Sequence, residues 1–230
     1  INGYAYPYIE PSLLRKTSAY LTHVIPFTYS FTPQGELIPL DDQEVLCISR
    51  SMGAGALLHL FSFVEDEGFS DSLAHQVLSN LEIQNRLITN LEQILHQRGY
   101  NGIDVDFEFI FPEDAELYAK FIHQLAKRLN PQGLSVTVAL VPKTSADQPG
   151  VLYEGHNYAL LGQAANDVFL MTYEWGYTYS ETMAVAPIHM VRRVAAYALT
   201  EIPREKILLG IPNYGYEWPL PYERGVTKAE

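Results

Sequence analysis

Short apolar runs alternate with longer amphipathic segments along most of the chain. Most of the runs are rich in Val, Ile, Leu and aromatic residues and are bounded by Gly, Pro, Asn or Asp, which is the pattern of β-strands. The predicted strands span residues 3–9, 23–31, 57–63, 102–109, 134–141, 167–173 and 207–214. Apolar residues at helical spacing predict helices over residues 81–98, 113–129 and 187–199.

The alternation of strands and helices predicts a parallel sheet with right-handed crossovers. Two architectures fit it, an open doubly wound sheet and a closed (β/α)8 TIM barrel. No predicted strand is followed by a glycine-rich phosphate loop, since Gly53 and Gly55 precede a strand. Polar residues cluster at the ends of several different strands, where barrel enzymes carry their chemistry. We therefore predict one α/β domain of the TIM-barrel class over residues 1–230.

The composition narrows the class of partner. The formal net charge is -12, so the chain lacks the basic surface by which proteins bind nucleic acid. No run approaches the roughly 18 apolar residues that mark a membrane-spanning helix. Cys47 is the single cysteine and no Cys/His cluster has zinc-site spacing, so we predict no metal and no cofactor. Aromatic residues make up 12% of the chain, and their rings suit sugar faces and ordinary cores alike.

Three carboxylates occupy alternate positions in the predicted strand at residues 102–109. Residues two apart in a strand lie about 6.6 Å apart on one face, so Asp104, Asp106 and Glu108 share a face and the apolar residues between them share the other. In a barrel these carboxylates would point inward and rise toward the mouth. Two other interpretations remain, a solvated face of an edge strand and a divalent-metal site, for which the strand at residues 57–63 offers His59 but no acid.

Three segments together resemble one family of enzymes. The pattern Asn-x-x-Asp-x-Asp-x-Glu at residues 101–108 resembles the DxxDxDxE signature of the family 18 glycoside hydrolases, which are chitinase-type (β/α)8 enzymes, with Asn101 in place of the first Asp. Met-Thr-Tyr-Glu at residues 171–174 resembles the family's M-x-Y-D segment, with Glu174 where Asp is usual. Gly-Ile-Pro-Asn-Tyr-Gly at residues 210–215 resembles its G-x-P-x-Y-G segment. The three segments fall in the strands that an ordered barrel requires.

Within the family, the segments at residues 171–176 and 210–218 resemble the spore-germination branch more than the chitinases proper. That branch comprises cortex-lytic peptidoglycan N-acetylglucosaminidases, often carried beside LysM cell-wall-binding repeats. The S-x-G-G segment of chitinases is absent, and Leu-Phe-Ser-Phe stands at residues 60–63 instead. The resemblance implies location in the spore coat, cortex or cell wall, with LysM repeats elsewhere in the protein.

The activity implied by the resemblance is retaining, substrate-assisted hydrolysis of β-1,4 bonds of N-acetylglucosamine in spore cortex peptidoglycan or its fragments. Two alternatives stay open. One is a chitinase or endo-N-acetylglucosaminidase that acts on chitin or N-glycans. The other is a catalytically silent sugar-binding lectin on the same fold, although such proteins commonly lose the acid that Glu108 would supply.

The resemblance also implies a role for each catalytic residue. Glu108 would protonate the leaving oxygen, and the N-acetyl carbonyl of the substrate would attack the anomeric carbon in place of a protein nucleophile. Asp106 would hydrogen-bond the acetamido N–H, and Asp104 would share a proton with Asp106. Tyr173 would orient the N-acetyl carbonyl.

The remaining candidates form a substrate-binding set. Glu174 can do the work of an Asp with a longer side chain, and Tyr214 and Trp218 either line the sugar cleft or pack. Asn101 completes the set at the deepest position, where its role is expected to be structural. The histidines, His59 among them, are interpreted as structural.

A barrel of this type closes with an eighth strand, which usually presents a Trp to the site. The residues after Tyr214 contain prolines, turn formers and a polar end, and these make a poor strand. We therefore predict that the barrel is truncated before its eighth strand, which would lie beyond Glu230 with its Trp and any inserted α+β lobe. The first and seventh strands would then be open edges.

Overall fold

The computed structural model describes residues 1–64, 68–219, 221, 225 and 228–229. Seven parallel strands form one sheet, and their order in space follows their order in the chain. That order is typical of a (β/α)8 barrel, whereas a doubly wound sheet reverses its order at a switch point. The barrel class predicted from the sequence is confirmed. The strands are β1 (Asn2–Ala5), β2 (His23–Pro26), β3 (Gly55–Phe61), β4 (Gly102–Asp106), β5 (Ser135–Leu140), β6 (Asp167–Leu170) and β7 (Ile207–Leu209).

The sheet is not closed in the part of the chain that the structure describes. β1 pairs with β2 alone and β7 with β6 alone, so both outer strands have an open edge. After β7, Tyr216–Glu217 forms a short antiparallel pair with Lys228–Ala229 outside the sheet. Among the described residues before position 222, no eighth strand joins the sheet. The open edges agree with the sequence prediction, and an eighth strand beyond Glu230 stays a prediction.

The helices cover the outer face of the sheet. They are α1 (Pro11–Ser18), α2 (Gln43–Ser51), α3 (Asp71–Ser79), α4 (Leu81–Arg98), α5 (Ala115–Leu129), α6 (Tyr158–Ala164) and α7 (Ile188–Glu201). The bounds of α4 match the prediction because both ends carry strong local signals. The Asn80 side chain accepts the N–H groups of Glu82 and Ile83, and Gly99 closes the helix in the left-handed region. Four shorter helices, α1, α2, α3 and α6, were not predicted.

Several strands end earlier than their apolar runs predict. β4 stops at Asp106, two residues before Glu108, and β6 stops at Leu170, three residues before Tyr173. The prediction that Glu108 and Tyr173 lie within strands is therefore wrong. An apolar run marks burial, which continues past the last ladder hydrogen bond, so it overestimates strand length.

The two faces of β4 divide as the alternation predicts. Ile103, Val105 and Phe107 are fully buried in the core between sheet and helices. The Phe107 ring stacks against Tyr118 and Phe121 of α5, with centroids 5.6 and 5.8 Å away. This packing turns the carboxylates of the other face toward the inside of the curled sheet.

Candidate active site

Two carboxylates and one histidine meet inside the sheet at β3 and β4. His59 on β3 is the register partner of Asp104 on β4, so the two side chains share a face. The Nε2 atom of His59 lies 3.4 Å from Asp106 Oδ2 and 3.9 Å from Asp104 Oδ2. All three residues are buried, and Thr28 Oγ1 is hydrogen-bonded to the other ring nitrogen of His59. His59, which the sequence analysis interpreted as structural, thus lies beside the two carboxylates. It is a member of the carboxylate cluster, and its position opposite Asp104 in register is decided by tertiary pairing.

A tyrosine from the first strand completes this cluster. Tyr4 on β1 donates a hydrogen bond of 2.7 Å to Asp104 Oδ2, although one hundred positions separate the two residues in sequence. Burial raises the pKa of Asp104 to about 6, even though His59 and the Tyr4 hydroxyl favour its charged form. Asp104 therefore takes up a proton at higher pH than an ordinary aspartate. The sequence carried no signal for Tyr4 beyond an aromatic residue at a strand position.

Glu108 lies just beyond the end of β4 and is partly buried. It lines a small cavity of about 140 Å³ whose other walls include Val141, Leu152 and Met171. Burial, together with the negative charges of Asp106 and Glu174, raises the pKa of Glu108 to about 9. The raised pKa favours the protonated form of Glu108, which is the state that a proton donor requires.

A larger space of about 1120 Å³ adjoins the small one, and it includes the gap between the open edges of β1 and β7. Tyr173 and Glu174 line both cavities, so they form the wall between them. The backbone of Glu174 has a φ of 65°, a conformation that is uncommon for a residue other than glycine. Its carboxylate accepts hydrogen bonds from the hydroxyls of Tyr214 and Tyr216, at 3.0 and 3.1 Å for Tyr216. Burial, together with these bonds and the charge of Glu174, raises the pKa of Tyr216 to about 12, and the bonds fasten the segment after β7 to this wall.

Most of the predicted residues come together at this place. Asp104, Asp106, Tyr173, Glu174 and Tyr214 line the large cavity, and Glu108 lines the adjoining small one.

Two predicted binding residues lie elsewhere. Trp218 lines neither cavity, and its ring packs 6.1 Å from that of Tyr216. Asn101 precedes β4 at the opposite end of the strand, where its Oδ1 accepts the backbone N–H of Ala56 at 2.9 Å. Its inclusion in the substrate-binding set is therefore corrected. An asparagine at the amino end of a strand is about five residues, or roughly 16 Å, from the mouth, and this one joins β4 to β3.

Aromatic side chains that the motifs did not identify surround the mouth. Tyr6, Phe27 and Phe169 line the large cavity. Tyr6 stacks on Tyr8 with centroids 5.1 Å apart, and both rings are exposed. Exposed rings of this kind suit the apolar faces of sugars.

We also searched the described residues for a metal site and for a membrane-spanning helix. Across residues 1–64 and 68–219, no group of three or more His, Cys, Asp or Glu side chains is arranged to hold a metal ion. None of the helices that the structure describes is long and apolar enough to cross a bilayer.

Comparisons with known proteins give one consistent family. The model of glycosyl hydrolases family 18 matches residues 64–228. The cortical fragment-lytic enzyme of Bacillus subtilis (strain 168) is 37% identical over 94% of this chain and 50% of its own length. The putative sporulation-specific glycosylase YdhD of the same strain is 31% identical over 97% of this chain and 53% of its own length. The chain spans about half the length of these curated relatives.

Solved structures give the same result. The spore cortex-lytic enzyme SleL of Bacillus cereus superposes with a TM-score of 0.93 at 34% identity, over 99% of this chain and 55% of that chain. A chitinase from Chromobacterium violaceum superposes with a TM-score of 0.88 at 24% identity, over 99% of this chain and 72% of that chain, and shares the fold.

Proposed function

The chain belongs to family 18 of the glycosyl hydrolases, and on that premise we propose that it hydrolyses β-1,4 bonds of N-acetylglucosamine in spore cortex peptidoglycan or its fragments. The family resemblance inferred from the three motifs is confirmed by the comparisons. One observation carries the proposal. Glu108, a carboxyl whose pKa is raised by burial and by the charges of Asp106 and Glu174, lines a small cavity that adjoins the aromatic-lined one.

The first step is cleavage of the glycosidic bond with proton transfer from Glu108. The Glu108 carboxyl gives its proton to the glycosidic oxygen as the bond from that oxygen to the anomeric carbon breaks. The raised pKa supports this role, because a carboxyl with an ordinary pKa would be ionised at pH 7 and could not donate. The Glu108 carboxylate then accepts a proton from the water that completes hydrolysis.

The nucleophile in the proposal is the substrate's own acetamido oxygen, which attacks the anomeric carbon and forms an oxazolinium ion. Asp106 accepts the acetamido N–H and offsets the developing positive charge, and Tyr173 donates to the acetamido oxygen. Two neighbours support this role, since Tyr4 is hydrogen-bonded to Asp104 and His59 Nε2 lies 3.4 Å from Asp106 Oδ2. Water then attacks the anomeric carbon from the side on which the leaving group was bound, so the configuration is retained.

The substrate class rests on the relatives. A cortical fragment-lytic enzyme and a spore cortex-lytic enzyme match nearly the whole chain at 37% and 34% identity. We therefore propose action at the spore cortex. LysM repeats elsewhere in the protein stay a prediction.

The test compares three substrates side by side, namely purified spore cortex fragments, chitin oligosaccharides and an N-glycosylated protein, with Glu108→Gln as the inactive control. We expect release of reducing ends from cortex fragments at the highest kcat/KM, and competitive inhibition by the thiazoline analogue of N-acetylglucosamine. Preference for chitin or N-glycan would contradict the substrate assignment. Binding without turnover would make the protein a lectin, and a covalent sugar trapped on any carboxylate would contradict the acetamido nucleophile.

A further inference from the structure

A buried lysine forms hydrogen bonds inside the loop that connects β5 to α6, residues 142–157. Lys143 is 2% exposed, and its Nζ donates to the backbone carbonyls of Ala146 and His156 at 2.9 and 3.0 Å. The Tyr158 hydroxyl donates to the Val141 carbonyl at 2.6 Å and accepts the Lys143 N–H at 3.0 Å. A cation placed in the interior to bind two carbonyls of one loop gives that loop a defined shape.

This loop contacts the backbone at Glu108 directly. The Nε2 of His156 donates a hydrogen bond of 2.9 Å to the Glu108 carbonyl oxygen. One residue earlier, Gly155 lies so close to Ile110 that a β-carbon there would stand 2.3 Å from the Ile110 carbonyl oxygen. Only a glycine permits this approach, so the loop follows the chain from Glu108 to Ile110.

The hydrogen bond replaces a missing ladder contact. The register pairs of β4 with β3 end at Asp106, and those with β5 end at Val105. The backbone at Glu108 is therefore past the point where strand pairing determines its position. His156 supplies a side-chain donor at the place where the sheet stops.

The state of the His156 ring suits this task. The ring is fully buried, and burial lowers its pKa to about 4, even though the Glu108 carbonyl and Asp106 favour the charged form. The ring is therefore neutral at pH 7 and carries a single N–H, which is the one that faces the Glu108 carbonyl. Its Nδ1 makes no hydrogen bond with any described residue.

The same loop also forms walls of the Glu108 cavity. Leu152 and Tyr153 line the small cavity together with Glu108. Apolar walls exclude water, and burial is the largest cause of the raised pKa of Glu108.

We propose that the 142–157 loop is the positioning element of the proton donor, with His156 holding the backbone at Glu108 and Leu152 and Tyr153 keeping its carboxyl dry. His156 is a positioning residue, because it touches Glu108 and not the substrate. The inference rests on the proposed function, in which Glu108 is the acid.

The experiment uses leaving groups that differ in their need for an acid. Hydrolysis of a chitin oligosaccharide requires protonation of the glycosidic oxygen, because a sugar alkoxide is a poor leaving group. A 2,4-dinitrophenyl glycoside of N-acetylglucosamine or its β-1,4 dimer releases dinitrophenolate, which leaves without an acid. His156→Leu removes the donor and keeps the volume, and His156→Gln restores an N–H. The exposed His123 gives the matched control, His123→Leu.

We expect His156→Leu to lower kcat on the oligosaccharide by about 10- to 100-fold, the loss typical of a displaced catalytic group. Turnover of the dinitrophenyl glycoside should stay within about threefold, and His156→Gln should recover most of the loss. His123→Leu should match the wild type on both substrates. The inference would be overturned if His156→Leu lowered kcat equally on both substrates or left kcat unchanged on both.

A second variant keeps the test decisive if His156→Leu does not fold. Leu152 is half-buried, and Leu152→Asn makes the cavity wall polar without touching the hydrogen bond. We expect the alkaline limb of its pH–rate profile to move to lower pH, and an unmoved limb would contradict the drying role. Glu108→Gln separates the two proposals. If it hydrolyses oligosaccharide normally, the proposed function fails, and if it is inactive while the loop variants behave as wild type, only this inference fails.

Discussion

The centre of the sheet and its edges are built differently. β4 is paired on both sides, and all five of its residues are buried. β7 is paired on one side, and Leu209 at its end is 47% exposed. Asp104 and Asp106 stand on the doubly paired strand, whereas Tyr214 follows the edge strand and is tied to the molecule through Glu174. The difference shows that strand pairing fixes Asp104 and Asp106, whereas single hydrogen bonds from side chains hold residues beyond the strand ends, such as Glu108 and Tyr214.

The largest effect should come from the proton donor at the end of the central strand. Glu108→Gln should fold normally and bind sugar while kcat falls by about 10²- to 10⁴-fold, the usual contribution of a positioned acid. Steady-state kinetics on oligosaccharide measure the fall. Near-wild-type turnover of a substrate with a poor leaving group would show that another group supplies the proton.

A pair of truncations compares the stability of centre and edge. Ile103→Ala on β4 removes a fully buried side chain, and we expect a loss of about 2–5 kcal/mol in the free energy of unfolding. Leu209→Ala on β7 removes a half-exposed one and should cost less than about 1 kcal/mol. Urea denaturation of both variants makes the measurement, and equal losses would contradict the comparison.

His59 tests whether the buried cluster depends on its histidine. His59→Phe keeps an aromatic ring between Phe27 and Phe61 but removes the ring nitrogen that faces Asp106 and the one that is hydrogen-bonded to Thr28. We expect a loss of about 1–3 kcal/mol in unfolding free energy, the range for an unsatisfied buried polar group. The exposed control His123→Phe should stay within about 0.5 kcal/mol. If both variants unfold alike, the cluster does not need its histidine.

The pH dependence follows from the raised pKa of Glu108. The active form is protonated, so the rate should fall about tenfold per pH unit above pH 9. The residual rate of Glu108→Gln should show no such alkaline limb. Between the unperturbed carboxyl pKa and about 9, the folded protein binds a proton at Glu108 that the unfolded chain does not. Wild-type stability should therefore fall as pH rises through this window, and the Gln variant should show a smaller fall. Identical stability profiles would contradict the raised pKa.

The smallest effect should come from the edge. Tyr214→Phe removes one hydroxyl from Glu174, while Tyr216 keeps its bonds to the same carboxylate. We expect a change of about 2- to 10-fold in kcat/KM, the equivalent of one net hydrogen bond. Binding of the thiazoline inhibitor, measured by calorimetry, provides a second readout. A loss as large as that of Glu108→Gln would place Tyr214 among the groups that act on the reacting atoms.

Local patterns were enough to predict much of the central region. The period-two alternation around Asp104 and Asp106 predicted the inward face of β4, because side-chain direction in a strand depends only on position parity. The bounds of α4 followed from Asn80 and Gly99, which satisfy the helix ends locally. The three motifs together also predicted the family.

Only the tertiary structure could bring distant residues together. His59 and Tyr4 reach Asp104 from other strands, and His156 reaches the Glu108 carbonyl across 48 positions. Nothing local to these residues specifies their partners, because strand register and loop docking depend on the packing of the whole sheet against its helices. The protonation of Glu108 is decided in the same way. The sequence determined that a carboxyl stands there, whereas the burial and the neighbouring charges that raise its pKa to about 9 come from residues distant in the chain, Leu152 and Glu174 among them.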